Sequence, residues 1–410
     1  MDGEAGRARF RDVFAVPQFR ALWLAQVLST AGDQVARVAL TLLVYDRTRS
    51  ALLAAVTFVM GMLPAFFGGT LLSGLGDRLP RRTVMVACDL ARAALVVVMT
   101  LPGLPLAVLV ALLFAVTAGN APFTSARSAL YPEILTGDRY VVATAVTLTT
   151  SQFAQVAGFA AGGVIAAAIG TRASLLADAA TFAASALLIC LRVAANPAPA
   201  RSGPVGRSAP FTGLAAGARL VFSSPALRVP MLLAWLAAAY NAPEGVATPY
   251  ARELGGGAAT TGLLLAAPAF GYTLGALAFG RLARPATRTQ MMAPLALSCC
   301  ALLIFIALRP ALPVTLLILA ASGACACYQV TANATFVAAA PAHQRSQATG
   351  LAIAGLSLGQ GTAMIVAGAA AQHFTPAAVI AMAGLLGATA ALVLNIQWPP
   401  APAPPPPPGR

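Results

Sequence analysis

The chain has 410 residues, of which 59% are hydrophobic and only 9% charged, with a mean hydropathy of +0.80. Soluble domains carry about 25% charged residues, so this chain cannot coat a water-facing surface of its size and is excluded from that class. A span of the hydrocarbon core takes roughly 20 apolar residues, and the length accommodates twelve spans with short connections.

All 26 basic residues are arginine, and the formal net charge is +14. The absence of lysine removes the P-loop, which needs a lysine on nucleotide phosphates, and Schiff-base enzymes, which need a lysine amine. Six cysteines (Cys88, Cys190, Cys299, Cys300, Cys325 and Cys327) all fall in apolar stretches, and His343 and His373 lie far apart. No zinc-type spacing exists. The cysteines read as small core residues, and neither a metal, a cofactor nor a nucleic-acid partner is expected.

In chain order, an arm with Arg7, Arg9 and Arg11 precedes a first apolar run near 19–45. It lacks the small-residue cleavage site of a signal peptide, so it is expected to be retained. Further runs lie near 51–75, 83–101, 105–126, 141–169 and 173–194. Asn196 to Pro210, rich in Pro, Ser, Gly and Arg, reads as a linker between halves. This divides the chain into an N-terminal half (1–195), a linker (196–215), a C-terminal half (216–396) and a proline-rich tail (397–410). Phe211 to Phe222 places apolar residues beside Arg219, the pattern of a short interfacial helix. The second set of runs lies near 226–250, 259–280, 289–308, 313–339, 347–371 and 376–396. The proline run from Pro399 reads as an extended spacer.

Arginine distribution sets orientation. With the N-terminus inside, most arginines fall on cytoplasmic segments, leaving Arg47, Arg49, Arg172, Arg252 and Arg309 outside and Arg37 and Arg92 within spans. Both termini are then cytoplasmic.

The two halves echo each other. Pro17-Gln18-Phe19-Arg20 returns as Pro225-Ala226-Leu227-Arg228. Gly76 with Arg78, Arg81 and Arg82 is matched by Gly280 with Arg281, Arg284 and Arg288, and Ala143-Thr144 by Ala348-Thr349. The expected fold class is therefore an all-α membrane protein whose twelve transmembrane helices form two homologous six-helix halves. Parallel halves place a substrate cavity at their shared axis, and rocking gives alternating access.

The loop Ser73-Gly74-Leu75-Gly76-Asp77-Arg78-Leu79-Pro80-Arg81-Arg82 resembles the signature loop of the major facilitator superfamily, with Ser73 and Pro80 where that family usually has glycine. Physically, Asp77 beside Arg78, Arg81 and Arg82 can lock a cytoplasmic helix end in one conformation and release it in another. The rival reading is that the arginines merely follow the positive-inside rule. Gly158-Phe159-Ala160-Ala161-Gly162-Gly163 resembles the superfamily's antiporter glycine motif, with Phe159 in place of proline; ordinary close helix packing accounts for Gly158, Gly162 and Gly163 equally well. The segment Phe19 to Asp46, Asp89-Leu90-Ala91-Arg92, and Ala126-Arg127-Ser128-Ala129-Leu130-Tyr131-Pro132 together resemble the branch with macrolide efflux proteins and the enterobactin exporter. That resemblance implies efflux of a drug, antibiotic or siderophore from the bacterial inner membrane.

Charges inside spans are functional suspects. Asp33 lies about 20 Å into the first helix from Arg20 at 1.5 Å per residue, and Arg37 follows at i+4, where the two can pair. Asp89 and Arg92 offer the same arrangement at i,i+3. Asp178, soon after Arg172, is placed near the outer edge as a packing partner. In the seventh span, Glu244 sits near the level of Asp33, with Asn241 opposite it in the repeat and Pro243 breaking the helix locally. Asp33, Arg37 and Glu244 are the proton-coupling candidates, Glu244 also as a site for a cationic compound, against the readings of a self-neutralising pair and a carboxylate at the outer mouth. Gln152, Gln155, Asn241, Tyr328, Gln329 and Asn333 supply polar groups for a cavity, and Trp235, Tyr240, Trp23 and Phe270 aromatic surface, which suits amphipathic ligands.

The reading is a proton-coupled exporter of a hydrophobic or amphipathic compound, working as a monomer in the lipid bilayer and not as an enzyme. Uptake of a metabolite, a membrane-embedded enzyme and a transport-dead receptor are the rivals.

Overall fold

The computed structural model describes residues 10–61, 80–194, 210–341 and 344–396, and among them all regular structure is helical. Seven helices are long and apolar enough to cross a membrane, or eight if the bent pair Gly217–Ser223 and Pro225–Gly245 is one span. The remaining passes escape that count for identifiable reasons. Asp138–Arg192 holds the fifth and sixth passes, which reverse at Gly170, where φ 80 and ψ 167 admit glycine readily. The third pass, Arg81–Met99, is diluted by buried Asp89 and Arg92. The second is described over Ala51–Met60, and the ninth, Met292–Ile304, continues as a 3-10 turn, Phe305–Leu308. Pass one (Pro17–Thr48), pass four (Leu106–Ile134), pass eight (Ala258–Leu282), pass ten (Leu312–Ala339), pass eleven (Arg345–Ala370) and pass twelve (Pro376–Ile396) complete the expected set.

The sequence repeat has a structural counterpart. Pro17 and Pro225 both stand at the first positions of passes one and seven, each after an extended residue, where proline's missing N–H costs nothing. The helix expected at Phe211 to Phe222 runs Pro210–Ser223 and meets pass seven at 106°. It thus starts inside the segment assigned to the linker; 195–209 and the tail 397–410 lie outside the described residues. Pass seven is itself broken into Pro225–Trp235, Ala237–Tyr240, Ala242–Gly245 and Ala247–Glu253, as Pro243 leads one to expect.

Small residues set the closest approaches. A Cβ at Gly158 would stand 2.7 Å from the Ala31 carbonyl, and one at Gly162 2.9 Å from Val35 Cα, so these two glycines seat pass five on pass one. Gly163 instead faces the other half, where a Cβ would lie 2.5 Å from the Ala258 carbonyl and 2.8 Å from Gly262 Cα of pass eight. Gly368 of pass eleven meets Ala51 and Ala55 of pass two in the same way. These cross-half contacts gather at the face opposite the termini. There Arg252 pairs with Asp46 at 2.8 Å and Gln372 donates to Ser50 at 3.0 Å. A core drawn from both halves, including Phe58, Phe159, Val246, Tyr250 and Met364, lies behind them.

Because the atoms facing Gly163 are backbone, a side chain there cannot be absorbed by a rotamer change. Gly163→Val should cost about 1–3 kcal/mol and lower the unfolding temperature of the detergent-solubilised protein. Gly280→Ala, where a Cβ meets nothing within 4 Å, should leave it within about 0.5 kcal/mol.

Candidate functional site

The buried charges pair mainly between helices, although Asp89 and Arg92 keep the i,i+3 pair expected of pass three at 3.8 Å. Arg92, 2% exposed, donates from Nη2 to both carboxylate oxygens of Asp33, at 2.8 and 3.0 Å, and from Nη1 to Ser29 at 3.4 Å. Its guanidinium lies 4.0 Å above the Phe182 ring, while its own-helix neighbour Asp89 is 3.8 Å away and takes a hydrogen bond from Ser185. The i+4 pair of Asp33 with Arg37 is accordingly not formed. Arg37 instead donates to the Gly61 carbonyl at 2.7 Å, with its guanidinium 5.4 Å from the Phe58 ring. The physical reason is geometric: a neighbouring helix can present a guanidinium square to a carboxylate, whereas an i,i+4 partner must fold back along its own axis. Asp178 also departs from its expected outer position. It is buried beside pass one, because Gly32 leaves room: a Cβ there would stand 2.5 Å from Asp178 Oδ1.

Two polar cavities result. One, about 250 Å³, lies within the N-terminal half and is lined by Asp33, Arg37, Arg92, Asn120 and Asp178 among others. The second, about 190 Å³, lies between the halves. It brings together six residues picked out in the sequence: Gln152 and Gln155 of pass five, Tyr240, Asn241 and Glu244 of pass seven, and Gln329 of pass ten. Leu264, Pro268 and Leu319 form apolar wall. Glu244 makes no hydrogen bond or ion pair among the described residues, and Arg37 is within its electrostatic reach. Arg37 thus stands between a carboxylate of each cavity.

Five expected cavity residues are elsewhere, among them Trp23, which donates to the Thr150 hydroxyl at 2.9 Å, and Phe270, which is exposed. Tyr328 is fully buried and donates to the Leu233 carbonyl at 2.8 Å. Trp235 donates to the Ala352 carbonyl at 3.0 Å and lines an apolar groove against pass twelve. Asn333 is exposed. In each case the rotation of the helix, which periodicity in an all-apolar run does not define, turns the side chain away. Tyr272 and Gln360 line the cavity without having been anticipated. Their signal is visible in retrospect: Tyr272 is four residues after Pro268, and Gln360 is a lone amide between Gly359 and Gly361 in an apolar run.

Of the gate candidates, Asp77 and Arg78 lie outside the described residues. Arg81 binds the Ala129 carbonyl at 2.8 Å and pairs with Glu133 of pass four, and Arg82 donates to the Cys190 carbonyl of pass six. Both tie helix ends within the N-terminal half.

Arg92→Met strands Asp33 and Asp89 without their cation, and breaking such a buried pair costs about 3–5 kcal/mol. Thermal unfolding in detergent should register this loss. Arg92→Lys should recover only part of it, since an ammonium cannot both serve Asp33 with a fork and stack on Phe182.

Residues 12–404 match the family model described as Transmembrane secretion effector. The chain is 29% identical over 392 residues to the multidrug efflux pump Tap of Mycolicibacterium fortuitum, covering 91% of this chain and 95% of that protein. It is 28% identical over 119 residues to macrolide efflux protein A of Streptococcus pyogenes, covering 28% of this chain and 29% of that one. Among solved structures, a POT family transporter in complex with 5-aminolevulinic acid superposes with a TM-score of 0.72 at 10% identity, over 92% of this chain and 95% of the other. An inward-facing, occupied bacterial homologue of the lysosomal transporter Spinster does so with 0.69 at 16% identity, over 93% and 98%. With its twelve passes, its paired halves and a match along nearly its whole length, the chain belongs to the transmembrane secretion effector family of major facilitator transporters.

Proposed function

We propose that the protein exports amphipathic, cationic small molecules across the bacterial plasma membrane in exchange for protons, by alternating access. The observation that carries this reading is Glu244, a carboxylate with no hydrogen bond or ion pair among the described residues, in a cavity otherwise walled by amides, tyrosines and aliphatic side chains. Such a site offers one charge and a large adaptable surface, the combination that holds cations of varied shape. The efflux activities named for the relatives point the same way.

With both termini cytoplasmic, the face closed by Asp46 and Arg252 is the outer one, and substrate enters from the opposite side. Asp77, Arg78, Arg81 and Arg82 then serve as the cytoplasmic gate, biasing one access state. Gly163 and Gly262 provide the outer contact that parts when the substrate leaves. The protein works as a monomer, since each chain carries a complete cavity.

Coupling needs a group that takes up a proton in one access state and gives it up in the other. Moving one charge down the membrane potential is worth about 2.3 kcal/mol per 100 mV. Asp33, Arg37 and Glu244 form the coupling set, with Arg37 placed to compensate either carboxylate.

Glu244→Gln should weaken export of a cationic probe about tenfold more than that of a neutral probe of similar size, the loss of one charge-assisted contact at about 1.5–3 kcal/mol. Uptake into inverted vesicles measures both, and equal losses would remove the cation site from Glu244. Asp33→Asn should lower accumulation driven by an imposed pH gradient far more than probe exchange at equal pH. Proteoliposomes reveal the difference, and a folded Asn variant with wild-type pH-driven accumulation would exclude Asp33 from coupling.

A further inference from the structure

The cavity within the N-terminal half holds more carboxylates than the arginine beside them can serve. Asp33 and Asp178, from passes one and six, line it, Asp89 of pass three lies behind its wall beside Arg92, and Arg92 commits its Nη2 to Asp33. Asp89 is held by Ser185, with Arg92 Nη1 at 3.8 Å. Asp178 is 1% exposed, its Oδ1 accepts from Thr181 at a long 3.4 Å, and its Oδ2 has no hydrogen-bond partner among the described residues. The other groups facing the cavity do not fill the gap. Arg37 is turned to Gly61 on pass two, and pass four presents only the uncharged Thr117 and Asn120.

An ionised carboxylate left in this position is costly, because no counter-ion among the described residues pairs with it to repay its lost hydration. Among the described residues no group of three or more His, Cys, Asp or Glu is arranged to hold a metal ion. We propose that this cavity is the proton-loading site and that Asp178 carries the exchangeable proton, a role separate from the substrate carboxylate Glu244 and resting on the export reading above.

Loading is the addition of one proton to Oδ2, which turns the carboxylate into a neutral acid. Unloading requires a replacement positive charge, and Arg92 lies in the same cavity. When Arg92 turns from Asp33 to Asp178, Asp33 is compensated by Arg37, one helical turn along pass one. Arg37 thereby leaves the Gly61 carbonyl for Asp33, and its charge no longer offsets that of Glu244, which then attracts a cationic substrate more strongly. Proton release and substrate binding are then alternatives linked through pass one, as exchange in opposite directions requires.

The test uses the purified full-length chain with ethidium, a lipophilic cation, as probe. In weakly buffered detergent solution, ethidium binding should release protons from the wild type, and Asp178→Asn should reduce that release roughly tenfold or more per bound probe, as expected when an intramembrane proton carrier is lost. Asp178→Glu, which keeps the acid and guards against a variant that fails to fold, should restore release with a displaced pH profile. Wild-type release from a folded Asn variant, or an unshifted profile for the Glu variant, would overturn the assignment. So would ethidium accumulation that follows a sodium gradient with no proton release. A wild type that neither binds nor transports any lipophilic cation removes the export reading itself and this assignment with it, whereas wild-type transport with an indifferent Asp178 removes only the latter.

Discussion

A guanidinium in an apolar interior must find its partners on the helices around it, and the N-terminal half is arranged about that requirement at Arg92. Its Nη atoms reach Asp33 and Ser29 on pass one, and its face covers Phe182 on pass six. On pass four, Gly119 leaves room for its methylenes, since a Cβ there would stand 3.3 Å from Arg92 Cγ. One side chain thus sets the spacing of four passes. The glycines follow from it: Gly32 admits Asp178 and Thr181 of pass six, and Gly158 and Gly162 bring pass five against the same helix from another side. Without those missing side chains the partners of Arg92 would be held out of reach.

The C-terminal half meets the polar demand of its interior by another route. Pass seven breaks at Leu236, Asn241 and Val246, and Pro230, Pro243 and Pro249 each remove a backbone N–H from it. Two carbonyls of this pass are taken up by pass ten, with Tyr328 donating to Leu233 and Gln329 to Ala234. Polar side chains in this half therefore serve the backbone of a broken helix first, and only the remainder is left for a ligand. Tyr328 belongs wholly to the first use. Gln329 belongs to both, since it also reaches the Tyr240 hydroxyl and lines the cavity.

Composition and the repeat made the twelve-pass layout legible, because spanning length and apolarity are properties of single segments. Lateral partners are not. The i,i+4 spacing of Asp33 and Arg37 is written in the chain, but the competing contact to Arg92 depends on how two helices are rotated against each other. In runs such as 313–339, nearly every position is apolar, so no moment marks the buried face, and Tyr328 and Asn333 were assigned to a surface they do not share. Glu244, Asn241, Gln152 and Gln155 were legible because a polar residue in an otherwise apolar span has few places to go. Asp178 lies deeper than its short separation from Arg172 implies, because the chain reverses at Gly170 and takes Asp178 directly down beside Gly32.

The closure of the face opposite the termini illustrates why charge is a poor measure of what holds the halves together. The pair of Asp46 and Arg252 has ideal length, yet its side chains are 46% and 41% exposed, and exposed pairs are worth about 0–1 kcal/mol. The contacts of Gly163 with Gly262 and of Gly368 with Ala51 bring backbone against backbone, with the Ala55 methyl beside the latter, and packing of that kind drives helix association where lipid removes the hydrophobic effect. Such an interface has no buried charge to strand when it opens, so parting it costs contact area alone. The costly charges are kept instead within the N-terminal half, at Arg92 and its carboxylates, where they can change partners without the halves having to separate. In the proposed cycle, closure by small residues and charge exchange inside one half are therefore complementary: the first would let the halves rock, and the second would make that rocking depend on which carboxylate Arg37 and Arg92 serve.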